Sequence, residues 1–249
     1  MAGLDWLTAR PIAHRGLHDR AARVIENTAA AIEAAASAGY GVEIDVRSTA
    51  EGEAVVFHDA ELDRLIDATG PVAKRTIAEL RTLPFRDCGE RLITLDECLD
   101  LVGGRVPLVV EVKSSATGDT RLARRVAEVV GGRGGPVVVE SFDPRVLALM
   151  RQLAPHVPRG IVGDAFADGD AHWAHLSPAK RFFARNLLHW RATRPDFLSW
   201  NVRDLDRRAV RMARKAGRPV TTWTVRTPDD VARAAAGADQ IVFEGFRPA

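Results

Sequence analysis

Short apolar runs alternate with longer stretches of helical spacing from one end of this 249-residue chain to the other, and no other feature limits the fold as much. The predicted strands are Pro11–His14, Gly41–Arg47, Ala54–Phe57, Pro107–Lys113, Pro136–Ser141, Arg159–Val162, Asp196–Asn201, Pro219–Val225 and Gln240–Phe243. Between most of them lie Ala-, Leu- and Arg-rich segments, such as Leu122–Val130 and Asp206–Ala216, that read as helices. Strands separated by helices are the pattern of parallel β/α units. Nine strands is one more than an eight-stranded barrel takes. The six residues between Arg47 and Ala54, with Glu51-Gly52 among them, can turn a hairpin but cannot make a parallel crossover. Ala54–Phe57 is therefore expected to run antiparallel to the strand before it, outside the barrel, and to open a small insertion over about residues 51–91. The expected architecture is one α/β domain spanning residues 1–249, a (β/α)8 TIM barrel with that insertion after the second strand. Chains of this length with 46% hydrophobic residues routinely form one such barrel.

Net charge narrows the possible partners. At +2, with basic residues scattered along the chain, it gives no case for nucleic acid. Cys88 and Cys98 match no zinc or redox spacing and read as reduced thiols. Residues 1–10 carry an early acid and no apolar h-region, and no run approaches the length of a membrane span. A soluble cytoplasmic protein without stable membrane association is expected.

Polar residues then appear where strands should be apolar. In Val42-Glu43-Ile44-Asp45-Val46 the valines and isoleucine share one face, and Glu43 and Asp45 share the other. In a barrel the apolar face packs on the helices and the acids point inward, where two like charges are costly unless something neutralises them. Glu111 and Lys113 repeat the pattern in Val109-Val110-Glu111-Val112-Lys113. One reading is a buried ion-pair network balanced by Lys113, yet one lysine cannot neutralise three carboxylates. An all-oxygen set of Glu43, Asp45 and Glu111 suits a hard divalent cation, Mg2+ or Ca2+.

His14 closes the first predicted strand and His58 closes the hairpin strand. Barrel sites lie at the carboxyl ends of the parallel strands, so both histidines read as an acid and a base at one mouth. Arg15 adds a guanidinium fork that fits phosphate oxygens. His172 and His175, flanking Trp173, imitate a metal pair only weakly, and His18, His156 and His189 read as surface residues.

With these residues in view, the chain resembles the glycerophosphodiester phosphodiesterase family. The likeness rests on His14-Arg15-Gly16, Glu26-Asn27-Thr28, Glu43-Ile44-Asp45-Val46, Val55-Val56-Phe57-His58-Asp59, Leu62-Asp63-Arg64, Gly70-Pro71-Val72, Thr76, Glu79-Leu80, Thr94-Leu95-Asp96-Glu97 and Glu111-Val112-Lys113. Ser141-Phe142-Asp143 and Trp223-Thr224-Val225 extend it into the C-terminal half. The resemblance implies a barrel hydrolase that cleaves a glycerophosphodiester, such as glycerophosphocholine, to glycerol 3-phosphate and an alcohol. It implies that His14 and His58 are the acid/base pair and that Glu43, Asp45 and Glu111 hold the divalent cation, Mg2+, Ca2+ or Mn2+. It implies that Arg15 and Lys113 lie near the phosphate and that Trp223 lines the pocket wall. The sequence departs from the family pattern at Arg226, where Asn is common, and around Glu244-Gly245, where Thr-Asp or Thr-Asn is common. The rival readings are a barrel phosphodiesterase of the phospholipase type and an inactive barrel that binds phosphodiesters.

Overall fold

All nine runs expected to be strands are strands. In the computed structural model, which describes residues 3–114 and 118–248, they are β1 (Ile12–Ala13), β2 (Gly41–Ser48), β3 (Ala54–Val56), β4 (Leu108–Val112), β5 (Val137–Ser141), β6 (Arg159–Gly163), β7 (Phe197–Asn201), β8 (Val220–Val225) and β9 (Gln240–Phe243). Eight run parallel in the order β1-β9-β8-β7-β6-β5-β4-β2, and β1 pairs with β2 to close the barrel. The ninth, β3, pairs antiparallel to β2, with Val46 opposite Val56 and Ser48 opposite Ala54.

The connecting helices start where the sequence offers a cap. Thr28 accepts from the Ala31 amide at the head of Ala29–Ser37, and Thr94 and Glu97 form a reciprocal capping box at the head of Leu95–Val102. Asp143-Pro144, Ser177-Pro178 and Thr227-Pro228 pair a capping side chain with a proline whose missing N–H costs nothing in the first turn. The predicted helix at Leu122–Val130 runs over Arg121–Gly131 and buries Leu122, Ala123, Val126, Ala127, Val129 and Val130 against the sheet. The one predicted at Asp206–Ala216 is shorter, Arg208–Lys215, because Val202–Asp204 form a separate 3-10 turn first.

Two cores lie on either side of the strands. Outside, Val42, Ile44 and Val46 of β2 and Val110 and Val112 of β4 pack with Ile32, Leu95, Leu99 and Val126 of the helices. Inside, the floor is apolar: Ile12, Val109, Val138, Phe197 and Val242 meet Leu7 from the short N-terminal helix Asp5–Thr8. Gly160 of β6 makes room for this floor, since a Cβ there would lie 2.2 Å from the Phe197 ring. Polar side chains begin one layer higher, so the apolar floor supports the charged mouth.

Two excursions leave the barrel. After β3, residues 57–92 carry their own small core of Phe57, Leu62, Leu65, Ile66, Val72, Leu80, Phe85 and Leu92. Between β6 and β7, residues 164–196 contain a turn at Ala171–Trp173 and the helices Pro178–Arg185 and Trp190–Thr193. His189, expected at the surface, is buried at the head of the second of these helices, beside Phe183 and 3.3 Å from Thr193 Oγ1. Burial pushes its pKa down to about 4. Among the described residues, no helix is long and apolar enough to cross a membrane.

Candidate active site

The register of the parallel strands builds the centre of the mouth. Asp45 of β2 pairs with Glu111 of β4, and Glu111 pairs with Glu140 of β5. Glu43, Asp45 and Glu111 are all buried, and one oxygen from each lies within 4.8 Å of the others. Lys113 Nζ stands 2.7 Å from Glu111 Oε1 and 2.9 Å from Asp45 Oδ1. Glu43 Oε2 accepts from the Arg15 amide at 2.9 Å, while Glu43 Oε1 has no hydrogen-bond partner among the described residues. Burial pushes the Glu43 carboxyl well above the usual range, and its neighbours Asp45 and Glu111 add to that. Burial acts on Asp45 in the same sense, but Lys113, His58 and Arg15 outweigh it and hold Asp45 low. An orphaned buried oxygen and a carboxyl shifted upward by burial and its acidic neighbours mark a place short of positive charge. The all-oxygen donor set fits a hard divalent cation.

The turn after β1 shows why His14-Arg15-Gly16 and Glu26-Asn27-Thr28 are spelled as they are. Arg15 and Gly16 both have positive φ, and a Cβ on Gly16 would lie 2.6 Å from the Ala31 backbone, so only glycine fits. Arg15 reaches Glu26 Oε1 at 2.6 Å and lies 3.4 Å from Asp45 Oδ2. Asn27, also at positive φ, donates to Asp45 Oδ2 at 2.9 Å and accepts from the Asp45 amide at 3.2 Å. Arg64 joins from the excursion after β3 and donates to both Glu26 and Asp59. Burial opposes ionisation of Glu26, yet Arg64 and Arg15 bring its carboxyl down to about 2.

Each histidine has a carboxylate at its back. The hairpin returns to the mouth through Phe57, whose amide donates to the Asp45 carbonyl, and Arg47 Nε donates to the His58 carbonyl. His58 Nδ1 is 2.7 Å from Asp59 Oδ1. His14 Nδ1 is 2.6 Å from Glu244 Oε2, and its Nε2 is 3.9 Å from Glu43 Oε2. Burial lowers both imidazole pKa values below the ordinary one; Glu244 and Asp45 respectively pull the other way without reversing the shift.

All the predicted residues except the deeply buried Asp45 line one cavity of about 660 Å³: His14, Arg15, Glu43, His58, Glu111, Lys113 and Trp223. The opposite wall is aromatic. Phe142 stands 5.1 Å from Trp173 and 5.5 Å from Trp223 between ring centres, and Phe166 packs 4.4 Å from Trp173. His172 and His175 belong to this wall, the first edge-on to Trp173 at 4.3 Å and the second bonded to the His172 carbonyl. Glu140, buried on β5 opposite Glu111, is a further acid of this mouth, and the inward alternation that places Glu43 and Glu111 applies equally to Val138 and Glu140. Its carboxyl is pushed up to about 8 by burial and by Glu111, while Ser199 Oγ, 3.2 Å away, donates to it. His18, expected at the surface, is partly buried with Nε2 3.8 Å from Glu244 Oε2.

A closed barrel with this charged mouth is that of a (β/α)8 hydrolase. The chain belongs to the glycerophosphoryl diester phosphodiesterase family, which it matches over residues 14–243. It is 32% identical over 161 residues to a glycerophosphodiester phosphodiesterase of Caldanaerobacter subterraneus subsp. tengcongensis, covering 61% of this chain and 65% of that protein. The fold is shared with a phosphodiesterase from Oleispira antarctica solved in complex with the product sn-glycerol-3-phosphate, at TM-score 0.77 and 24% identity, covering 96% of this chain and 94% of the other. A glycerophosphodiester phosphodiesterase from Agrobacterium tumefaciens aligns at TM-score 0.68 and 26% identity, covering 94% of each chain.

Proposed function

We propose that this chain hydrolyses glycerophosphodiesters to glycerol 3-phosphate and an alcohol, with His14 and His58 as proton carriers and Glu43, Asp45 and Glu111 as the ligands of a divalent cation, Mg2+, Ca2+ or Mn2+. One observation carries the reading: three buried carboxylate oxygens converge within 4.8 Å beside two imidazoles, each backed by a carboxylate. When bound, the cation supplies positive charge that stabilises the negative charge growing on the phosphate in the transition state. The protein's own groups do the rest. Arg15 and Lys113 hold the phosphate oxygens at the carboxylate side of the mouth. One histidine takes the proton of the attacking oxygen and the other gives a proton to the departing alcohol, a division that imidazoles near neutrality perform well. Trp223 and its aromatic neighbours form the apolar wall against which the organic part of the substrate lies. We read the chain as one domain, residues 1–249, acting in the cytoplasm on deacylated, water-soluble diesters. The free thiols of Cys88 and Cys98 accord with a reducing compartment.

The test is release of glycerol 3-phosphate from glycerophosphocholine by the purified protein. Exhaustive chelation is expected to abolish release, and Mg2+, Mn2+ or Ca2+ to restore it. Full turnover after chelation, with no metal by elemental analysis, would refute the cation; no turnover of any glycerophosphodiester would refute the substrate class.

A further inference from the structure

Three adjacent strands end in side chains that form a chain of contacts. β1 runs into His14, β9 into Glu244 and β8 into Arg226, with Ala13 registered to Phe243 and Val225 to Phe243. The backbone continues this register, since the His14 amide donates to the Phe243 carbonyl and the Glu244 amide to the Val225 carbonyl. Glu244 divides its two oxygens between the neighbours: Oε2 lies 2.6 Å from His14 Nδ1, and Oε1 accepts from Arg226 Nε at 2.6 Å. His18 Nε2 approaches Oε2 from the other side at 3.8 Å. Arg226 and Glu244 thus form one ion pair in direct contact with His14.

We propose that Glu244 is a positioning residue for His14: its carboxylate, fixed by Arg226, holds the imidazole with the proton on Nδ1 and Nε2 turned toward Glu43 and the cavity. The proposal rests on the reading of His14 as a proton carrier. A ring hydrogen-bonded through one nitrogen has its tautomer and its rotation set by that partner. Glu244 suits the task because it stays ionised. Its burial opposes this, but the hydrogen bonds from His14 and Arg226 and the nearby His18 dominate and hold the carboxyl well below its usual range. Nothing else among the described residues hydrogen-bonds the His14 ring, so without Glu244 both its tautomers and its rotation become free. Arg226 is half exposed and holds Glu244 at the oxygen that His14 does not use.

Two measurements test this. In the metal-free protein, 15N shifts of the His14 ring should show a single tautomer with Nδ1 protonated, and Glu244→Ala should give a mixture. In turnover, Glu244→Ala should lower kcat by roughly 10–100-fold with KM changed by less than about threefold. Glu244→Gln keeps the shape but has a single acceptor oxygen; with that oxygen on Arg226 its NH2 donates to Nδ1, so this variant should shift the ring toward the Nε2-protonated tautomer and should not recover the rate. A double-mutant cycle supplies the coupling: in a His14→Ala background, Glu244→Ala should alter the residual rate by less than about twofold. A low rate in His14→Ala with fully additive losses would overturn the positioning role while leaving the proposed function intact. An unchanged tautomer in Glu244→Ala would do the same. Near wild-type activity in His14→Ala would instead remove the reading on which the proposal rests.

Discussion

His14, Glu43, Asp45, Glu111 and Lys113 stand on or directly after three neighbouring strands, β1, β2 and β4, whereas Phe142, Phe166 and Trp173 stand on loops that follow β5 and β6. The first wall is braced at most of its polar groups. Asn27, Arg15 and Lys113 hold Asp45, the Arg15 amide holds Glu43, and Asp59 and Glu244 hold the histidines. The second wall has few polar ties, chiefly Trp173 Nε1 to Asp164 and Trp223 Nε1 to the Ser199 carbonyl, and otherwise holds by ring against ring. Under the proposed function the two walls have different tasks. Proton transfer and charge stabilisation fall away steeply with small displacements, so those groups need a rigid ladder and a second set of partners. An apolar surface tolerates shifts that a hydrogen bond does not.

The strongest way to break this comparison is to remove one of the two proposed proton carriers. His14→Ala and His58→Ala should each lower kcat/KM by roughly 10²–10⁴ with little change in Tm. If either variant keeps more than about a tenth of the activity, that histidine carries no proton and the braced wall has lost its purpose. A smaller effect is expected on the other side. Phe142→Ala or Trp223→Ala should raise KM about tenfold and leave kcat within a few-fold, the signature of binding shared equally by ground and transition states. A collapse of kcat as deep as that of the histidine variants would mean the two walls are not functionally distinct.

The smallest effect sharpens the picture of the charged side, because one of its carboxyls is expected to be uncharged. Glu140 is pushed up to about 8 in the folded protein, from an ordinary value of 4.5. Between those values the unfolded chain gives up a proton that the folded chain keeps, so this residue contributes stability at low pH that is lost as pH rises toward 8. In chelated protein, Glu140→Gln should therefore gain Tm over the parent as pH goes from 5 to 8, at about 2–4 °C per kcal/mol for a chain of this size. A difference that stays flat across this range, or grows as pH falls, would contradict the shift.

The contrast between the walls also explains what could be read without coordinates. Alternation along a strand is local, so Glu43, Asp45, Glu111 and the antiparallel β3 were visible in a few residues each. The same alternation would have exposed Glu140, had Val137-Val138-Val139-Glu140 been tested for an inward acid. Glu244 was noticed only as a departure from a pattern, because its contact with His14 spans 230 positions and depends on the barrel closing. Trp173 and Phe166 carry no periodicity, and their meeting with Phe142 is a property of loop packing. His189 reads as a surface residue because the polar, Arg-rich stretch around it gives no sign of the Phe183 contact that buries it.

The stretch between β6 and β7 leaves the sheet after Gly163 and rejoins it at Phe197, at a pairing fixed by Gly160 opposite Phe197 and Gly163 opposite Trp200. No carboxylate of the opposite wall lies within it, and lengthening such a loop costs only about 0.6 kcal/mol per doubling. Its second half is tied to the barrel, with Leu187 in the main core and the Thr193 and Arg194 carbonyls accepting from Arg159 of β6. The first half, 164–176, carries Phe166 and Trp173 of the aromatic wall, and exchanging it alone is the economical way to retune which organic group is accepted while the staves of the barrel stay as they are.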